Sequence, residues 1–193
     1  MRFVVAQLGA RRNYAVPVIL KKAGLLERFY TDAAANVGLG RWIVKWGRLL
    51  GWSQTAARLA ARRIPEIIQS KTVSLLPGRL LRQGSPTICR AGPAARFRAQ
   101  LQFSRVFGLA AIRRGFGAAT QIYTMLGECG PMIGEAKARG LTVAAEFYIL
   151  LSAERIVAEE QRRFGEWEMP PLDFERMRSE FPEGSSLSFG GIP

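Results

Sequence analysis

The residues best suited to chemistry gather where the first apolar run of the chain ends. Gly9-Ala10-Arg11-Arg12-Asn13-Tyr14 follows Phe3-Val4-Val5-Ala6-Gln7-Leu8. Two arginines beside a helix N-terminus can hold an anion through their own charge and free backbone N–H groups. The plain alternative is a pair of solvated loop charges. The loop has one glycine, so neither the G-x-G-x-x-G pattern of dinucleotide binding nor a phosphate-cradling P-loop is present. Histidine is absent from the chain, which removes Ser-His-Asp and Cys-His nucleophile activation and histidine-ligated zinc. No D-x-D pair can hold a metal against a diphosphate, and Cys89 and Cys129 form no metal or redox motif. No metal and no resident cofactor are therefore expected. Any catalysis must use a carboxylate, tyrosine, lysine or arginine, or borrow groups from another domain, and Asp32 and Glu146 are the candidate carboxylate bases. Each also has an ordinary role open to it, Asp32 in a turn or cap and Glu146 as a structural partner for nearby arginines.

These residues need strands and helices to position them. Phe3–Leu8 is continuously apolar but for Gln7, as suits a parallel strand covered on both faces. A helix is expected over Tyr14–Lys22, with Asn13 as N-cap and Pro17 in the first turn, where a missing N–H costs least. Leu26–Thr31 reads as a second strand ending at Asp32. In Gly40–Trp52, residues Trp42, Trp46, Leu49 and Leu50 share one helical face, and Arg41, Lys45 and Arg48 form an adjoining basic stripe. A further helix starts near Ser53 and carries Arg58, Arg62 and Arg63. Thr72–Leu76 reads as a strand, 77–93 as a Gly- and Pro-rich loop, and Ala94–Arg114 as a long helix with Phe97, Leu101, Val106 and Leu109 on its apolar face. Two β-α units follow: strand Thr120–Met125 with helix Pro131–Ala138, then strand Leu141–Phe147 with helix Ser152–Phe164. Short links between such units predict parallel strands and right-handed crossovers. The expected fold is α/β, a Rossmann-like three-layer domain with a mostly parallel sheet over 1–167, followed by an irregular, frayed tail over 168–193. Ligands of such sheets meet the loops beyond the carboxyl ends of the strands. Gly9–Tyr14, Asp32, Thr124–Glu128 and Glu146-Phe147 would then line the cleft.

Charge is distributed unevenly along the chain. Residues 1–115 hold 21 of the 28 Lys and Arg but only 3 of the 15 Asp and Glu, so an anionic partner is expected: phosphate, acidic lipid or nucleic acid. Tryptophan beside lysine and arginine on an amphipathic helix is the composition of a segment lying in a membrane interface. Trp42, Lys45, Trp46 and Arg48 are thus candidates for contact with an anionic membrane surface. Periodicity alone favours the other outcome, with the tryptophans packed on the core and the basic residues facing water. Nucleic acid ranks last, since no recognised reading module is present and the aromatics lack an RNA-stacking pattern. No stretch has the length of a membrane-spanning helix, and residues 3–8 are short for a signal peptide. A cytoplasmic protein is expected, with a peripheral position at the inner membrane face open to it.

Val5-Ala6-Gln7-Leu8-Gly9-Ala10-Arg11-Arg12-Asn13-Tyr14-Ala15-Val16-Pro17, then Ala23-Gly24-Leu25-Leu26 and Tyr30-Thr31-Asp32, resembles the opening of bacterial GT-B glycosyltransferases of the family-four type. Ile122-Tyr123-Thr124, Glu135-Ala136-Lys137-Ala138-Arg139-Gly140-Leu141 and Glu159-Glu160 are similar to later blocks of the same group. The resemblance runs with gaps to about Trp167. It implies the acceptor-side half of a two-domain enzyme, acting on a sugar or lipid-linked acceptor. A nucleotide sugar enters as co-substrate only when a donor-binding C-terminal domain or subunit completes the site. Alone, the chain is expected to be inactive and to show no saturable binding of UDP- or GDP-sugars. The alternative to this enzyme half is a non-enzymatic basic module that binds an anionic membrane surface through residues 40–63. On the enzyme reading, Gly9, Arg11, Arg12, Asn13, Tyr14, Tyr123 and Thr124 fall to acceptor or phosphate binding; the group usually has histidine where Asn13 stands. Glu146 and Glu154 match the E-x7-E spacing of the group's donor domain. Glu160/Glu168 and Glu175/Glu183 share that spacing, and no role is carried over.

Overall fold

A computed structural model of the chain describes residues 1–47, 53–75, 93–125, 127–146, 156–157, 159–160 and 162–164. Strand β1 (Phe3–Gln7) lies at the centre of a five-stranded sheet. β2 (Leu26–Thr31) and β3 (Thr72–Ser74) extend the sheet on one side, β4 (Gln121–Met125) and β5 (Thr142–Glu146) on the other. The order is β3-β2-β1-β4-β5 and every pair is parallel. The chain thus reverses its direction of travel across the sheet between β1 and β4. Parallel strands in the middle of a sheet must be apolar on both faces, and Val4, Val5 and Ala6 are all fully buried.

Two clusters of apolar side chains, one on each face, make the three layers. Val4, Ala6, Leu8, Tyr30 and Ile122 pack with Phe103, Phe107 and Ala111 of helix α5 (Pro93–Arg114) and with Met132 and Ala136 of helix α6 (Gly130–Ala138). On the other face Val5, Leu26 and Phe29 pack with Tyr14, with Val16, Val18 and Leu20 of helix α1 (Ala15–Lys22), and with Ile68 of the short helix α4 (Glu66–Gln69). This is the Rossmann-like α/β domain expected from the strand pattern. The described residues between 156 and 163 are helical. Most of the 77–93 loop and the 168–193 tail lie outside the described residues, as do Arg48, Leu49, Leu50 and Trp52.

Three local expectations are corrected. Asn13 does not cap α1: it sits inside a 3-10 turn, Arg11–Tyr14, with φ 49°, and the N-cap is Tyr14, itself left-handed. The buried face of α5 is Phe103, Phe107 and Ala111 at i, i+4 and i+8, while Leu109 is exposed, so the apolar stripe runs elsewhere than along Phe97, Leu101, Val106 and Leu109. Helix α2 (Leu39–Trp46) presents the opposite face to the one periodicity favoured. Its tryptophans are not core: Trp42 is 61% exposed and Trp46 44%. Glycine lies inward instead. A Cβ on Gly40 would come 1.7 Å from the Ala34 carbonyl oxygen, and one on Gly47 would come 3.1 Å from the Ala56 Cβ of helix α3 (Ser53–Ala60). The helix approaches backbone to backbone, leaving no room beneath it for an indole.

Gly40→Ala must therefore push α2 off the Ala34 carbonyl. A loss of roughly 1–3 kcal/mol in urea unfolding is expected, the range for overpacking at a closely packed site. An unchanged midpoint would mean that α2 is not seated as described.

Candidate functional site

Where β1 ends, its next two main-chain N–H groups leave the sheet ladder and need acceptors. They find carboxylates from either side. Leu8 N–H donates to Glu128 Oε2 at 2.8 Å, and Gly9 N–H donates to Asp32 Oδ1 at 2.8 Å. Asp32 follows β2; Glu128 lies in the loop between β4 and α6. Each is only 2% exposed, and each draws an arginine. Arg62 Nη1 reaches Asp32 Oδ2 at 2.6 Å, and Arg11 Nη2 reaches Glu128 Oε1 at 3.3 Å. Gly9 has φ 71°, and its absent side chain leaves the Arg62 guanidinium 3.9 Å from where a Cβ would stand. The Thr31 hydroxyl also reaches Asp32 Oδ1, at 3.3 Å.

This cluster spans the carboxyl ends of β2, β1 and β4, and so includes the point where the chain reverses across the sheet. Open α/β sheets bind their ligands at that switch point. A cleft of about 380 Å³ opens beside it, lined by the Leu8–Arg11 loop, Asp32, Arg62 and, from α5, Gln100 and Phe103. Burial pushes the Glu128 carboxyl above its ordinary range, and the charge of Asp32 adds to the shift; the Leu8 N–H and Arg11 pull the other way without cancelling it. Glu128 does not itself line the cleft; it stands behind Arg11, which does, and a carboxylate of raised proton affinity is the better proton acceptor. Among the described residues no group of three His, Cys, Asp or Glu side chains could hold a metal ion.

A second cluster forms at the same end of the sheet, toward α1. Glu146 accepts a hydrogen bond from the Tyr123 hydroxyl and pairs with Arg12. Burial, then the bond to Glu146, pushes the Tyr123 phenol up to about 12. Glu146 is thus held as a structural partner on both sides. Tyr14 is 3% exposed with its ring edge-on to Phe29, centroids 5.9 Å apart. Burial raises its phenol to about 12, and among the described residues its hydroxyl has no hydrogen-bond partner. Gln7 is fully buried with both amide atoms unpartnered among the same residues. Thr124 is fully buried beside Cys129, whose thiol burial pushes up.

Of the residues singled out from sequence, Gly9, Arg11 and Asp32 meet at the cleft. Arg12, Tyr123 and Glu146 form the second cluster, and Asn13 is exposed. Tyr14 and Thr124 are core residues, which corrects their assignment to a ligand surface. Asp32 serves the cleft rather than a turn alone. Glu128 closes the Thr124–Glu128 segment expected at the cleft but was given no role of its own, and Arg62 was missed as a site residue. Glu128 could have been flagged by its place between Gly127 and Cys129-Gly130 at a strand's carboxyl end. Nothing in the sequence ties Arg62 to Asp32, 30 residues earlier. Comparison of the chain with protein-family models, with curated proteins and with solved structures finds no match.

The Glu128 shift fixes the sign of a pH dependence. The folded state holds this proton above the ordinary pKa of 4.5, so folding takes up a proton in that window. Stability contributed by this group is full below 4.5 and falls as pH rises through the folded pKa. Urea midpoints measured from roughly pH 4 to 8 should slope less steeply downward in Glu128→Gln than in the parent. Parallel profiles would refute the assignment.

Proposed function

We propose that this chain is the acceptor-side domain of a GT-B-type glycosyltransferase, with Glu128 as the proton acceptor of the reaction. The observation that carries it is the position of Glu128: a buried carboxyl of raised proton affinity beyond the end of β4, bonded to the main chain after β1 and paired with Arg11, which lines the cleft. Its contact with Arg11, at 3.3 Å, is the looser of its two, so Oε1 is the atom for an acceptor hydroxyl to address. As the acceptor oxygen bonds to the anomeric carbon, its proton passes to Glu128, and the nucleoside diphosphate leaves with the electron pair of the broken bond. Arg11, which lines the cleft, offers its charge to a phosphate of the donor or of a phosphorylated acceptor. A donor-binding α/β domain completes the reaction. The opening block, Val5 to Pro17, and the strand order support the same reading.

Sugar recognition is tested by amide NMR titration with simple glycosides and sugar phosphates at millimolar concentration. Shifts are expected at Gly9, Arg11, Asp32 and Glu128. No perturbation by any of these probes, or shifts confined elsewhere, would overturn the reading. With the donor domain supplied, Glu128→Gln should lower kcat by about 10²–10⁴, the usual share of a positioned proton acceptor.

The exposed face of α2 supports a second role, attachment to an anionic lipid surface. Leu39, Trp42 and Trp46 share that face, Lys45 lies 5.5 Å from the Trp46 ring centre, and no acidic residue occurs between Asp32 and Glu66. Indoles entering the headgroup layer and cations above them give such a helix its affinity. Such attachment suits a peripheral protein on the cytoplasmic face of a membrane; among the described residues no helix is long and apolar enough to cross one. In vesicle co-sedimentation the parent should bind phosphatidylglycerol and not phosphatidylcholine, and Trp42→Ala with Trp46→Ala should weaken binding at least about tenfold. Equal binding by parent and double variant would exclude α2 as the contact.

A further inference from the structure

The amino-terminal end of the sheet, opposite the cleft, carries a second hollow of about 470 Å³ lined by Glu27, Arg28, Ser70, Lys71, Val73 and Arg114. A β-bulge builds it. Phe3 pairs with Leu26 but Val4 pairs with Arg28, so Glu27 is an extra residue in β2. Bulges re-aim the side chains beside them, and here Arg28 turns to the end of α5. Its Nη1 donates to the carbonyls of Arg114 at 2.6 Å and Gly115 at 3.2 Å, and to the Tyr30 hydroxyl at 2.9 Å. That fixes one guanidinium in the wall.

The remaining charges do not balance. Glu27 is the single acid of the lining, and Arg2 already holds it at 2.9 Å. That hydrogen bond is the largest cause keeping the Glu27 carboxyl below its ordinary range; Lys71 contributes through its charge. Lys71 and Arg114 form no ion pair and no side-chain hydrogen bond among the described residues. Three cations and the Ser70 hydroxyl thus surround one polar hollow with a carboxylate committed elsewhere. Like charges brought together this way repel until an anion enters. A planar guanidinium, an ammonium and a hydroxyl match the oxygens of a phosphoryl group.

We propose that this hollow is a phosphate-binding site, separate from the cleft at the other end of the sheet. The shared chemistry is a phosphate group, carried by a soluble molecule or by a lipid headgroup. Pyrophosphate is the soluble probe and vesicles containing phosphatidic acid the lipid probe, both in moderate chloride to suppress unspecific attraction. Amide shifts at Arg28, Ser70, Lys71 and Arg114 are expected with one of the two probes. Lys71→Gln and Arg114→Gln should each weaken that binding at least about tenfold, the loss of one charge-assisted hydrogen bond. Neither side chain holds an ion pair or hydrogen bond among the described residues of the ligand-free fold, and each variant removes one repelling charge, so neither should melt far below the parent when no phosphate is present. The rise in melting temperature that pyrophosphate gives the parent, if it is the ligand, should be lost in both. Binding by neither probe, unchanged affinity in the double variant, or shifts centred on Gly9 and Arg11 would overturn the proposal.

Discussion

Two backbone N–H groups at the end of β1 set the terms for the site. Leu8 and Gly9 can no longer bond to a neighbouring strand; Leu8 is buried and Gly9 half-buried, and each finds its acceptor in the protein. Asp32 and Glu128 supply those acceptors from opposite sides of the central strand. Burying two carboxylates costs several kcal/mol per ion unless they are paired and hydrogen-bonded. Arg62 and Arg11 offset that cost, for Glu128 only in part. The loop after β1, the end of β2, the chain between α3 and α4 and the loop before α6 are thereby tied into one cluster. Removing any one partner leaves a buried charge or an orphaned donor, so the cluster stands or falls together.

The strands are legible in the sequence because their signal is local. A continuous apolar run bounded by glycine states its own burial, and Leu26–Thr31 is recovered to the residue. The site is only half legible. Gly9, Arg11 and Asp32 lie at strand ends, which the pattern locates, but Glu128 meets Leu8 across 120 residues and Arg62 meets Asp32 across 30. No spacing rule encodes such pairs. The misreading of α2 has a different cause. Large apolar residues at helical spacing ordinarily mark the buried face. Here a second set at the same spacing, Gly40, Ile43 and Gly47, lies inward because close backbone approach demands it. Size favoured the wrong stripe.

A basic domain with few acids must place each acid where it matters most. Among residues 1–115 the three acids are Glu27, Asp32 and Glu66. Asp32 holds the loop after β1, and Glu27 holds Arg2 across the bulge in β2. Neither can neutralise the cations around it beyond one or two neighbours. Among the described residues, cations paired with acids consequently gather at one end of the sheet, around Arg11 and Arg62, and cations without an acid of their own at the other, around Arg28, Lys71 and Arg114. The fold separates these groups by the length of its strands.

The strained turn after Ala10 follows from the same shortage of acceptors. Arg12, Asn13 and Tyr14 are three successive non-glycine residues at φ 47°, 49° and 62°, a conformation that costs about 1–2 kcal/mol per residue for L-amino acids. A regular helical start would send neighbouring side chains around one axis with no reason to part. The left-handed turn lets Arg11 reach Glu128 on the α5 side of the sheet while Arg12 reaches Glu146 on the α1 side. Tyr14 anchors the turn by burying its ring against Phe29. Consecutive arginines thus serve two carboxylates on opposite faces, and the strain is the condition for that division. Strain of this kind persists only where surrounding contacts over-determine it, and those contacts here are the two ion pairs and the packing of Tyr14 on Phe29.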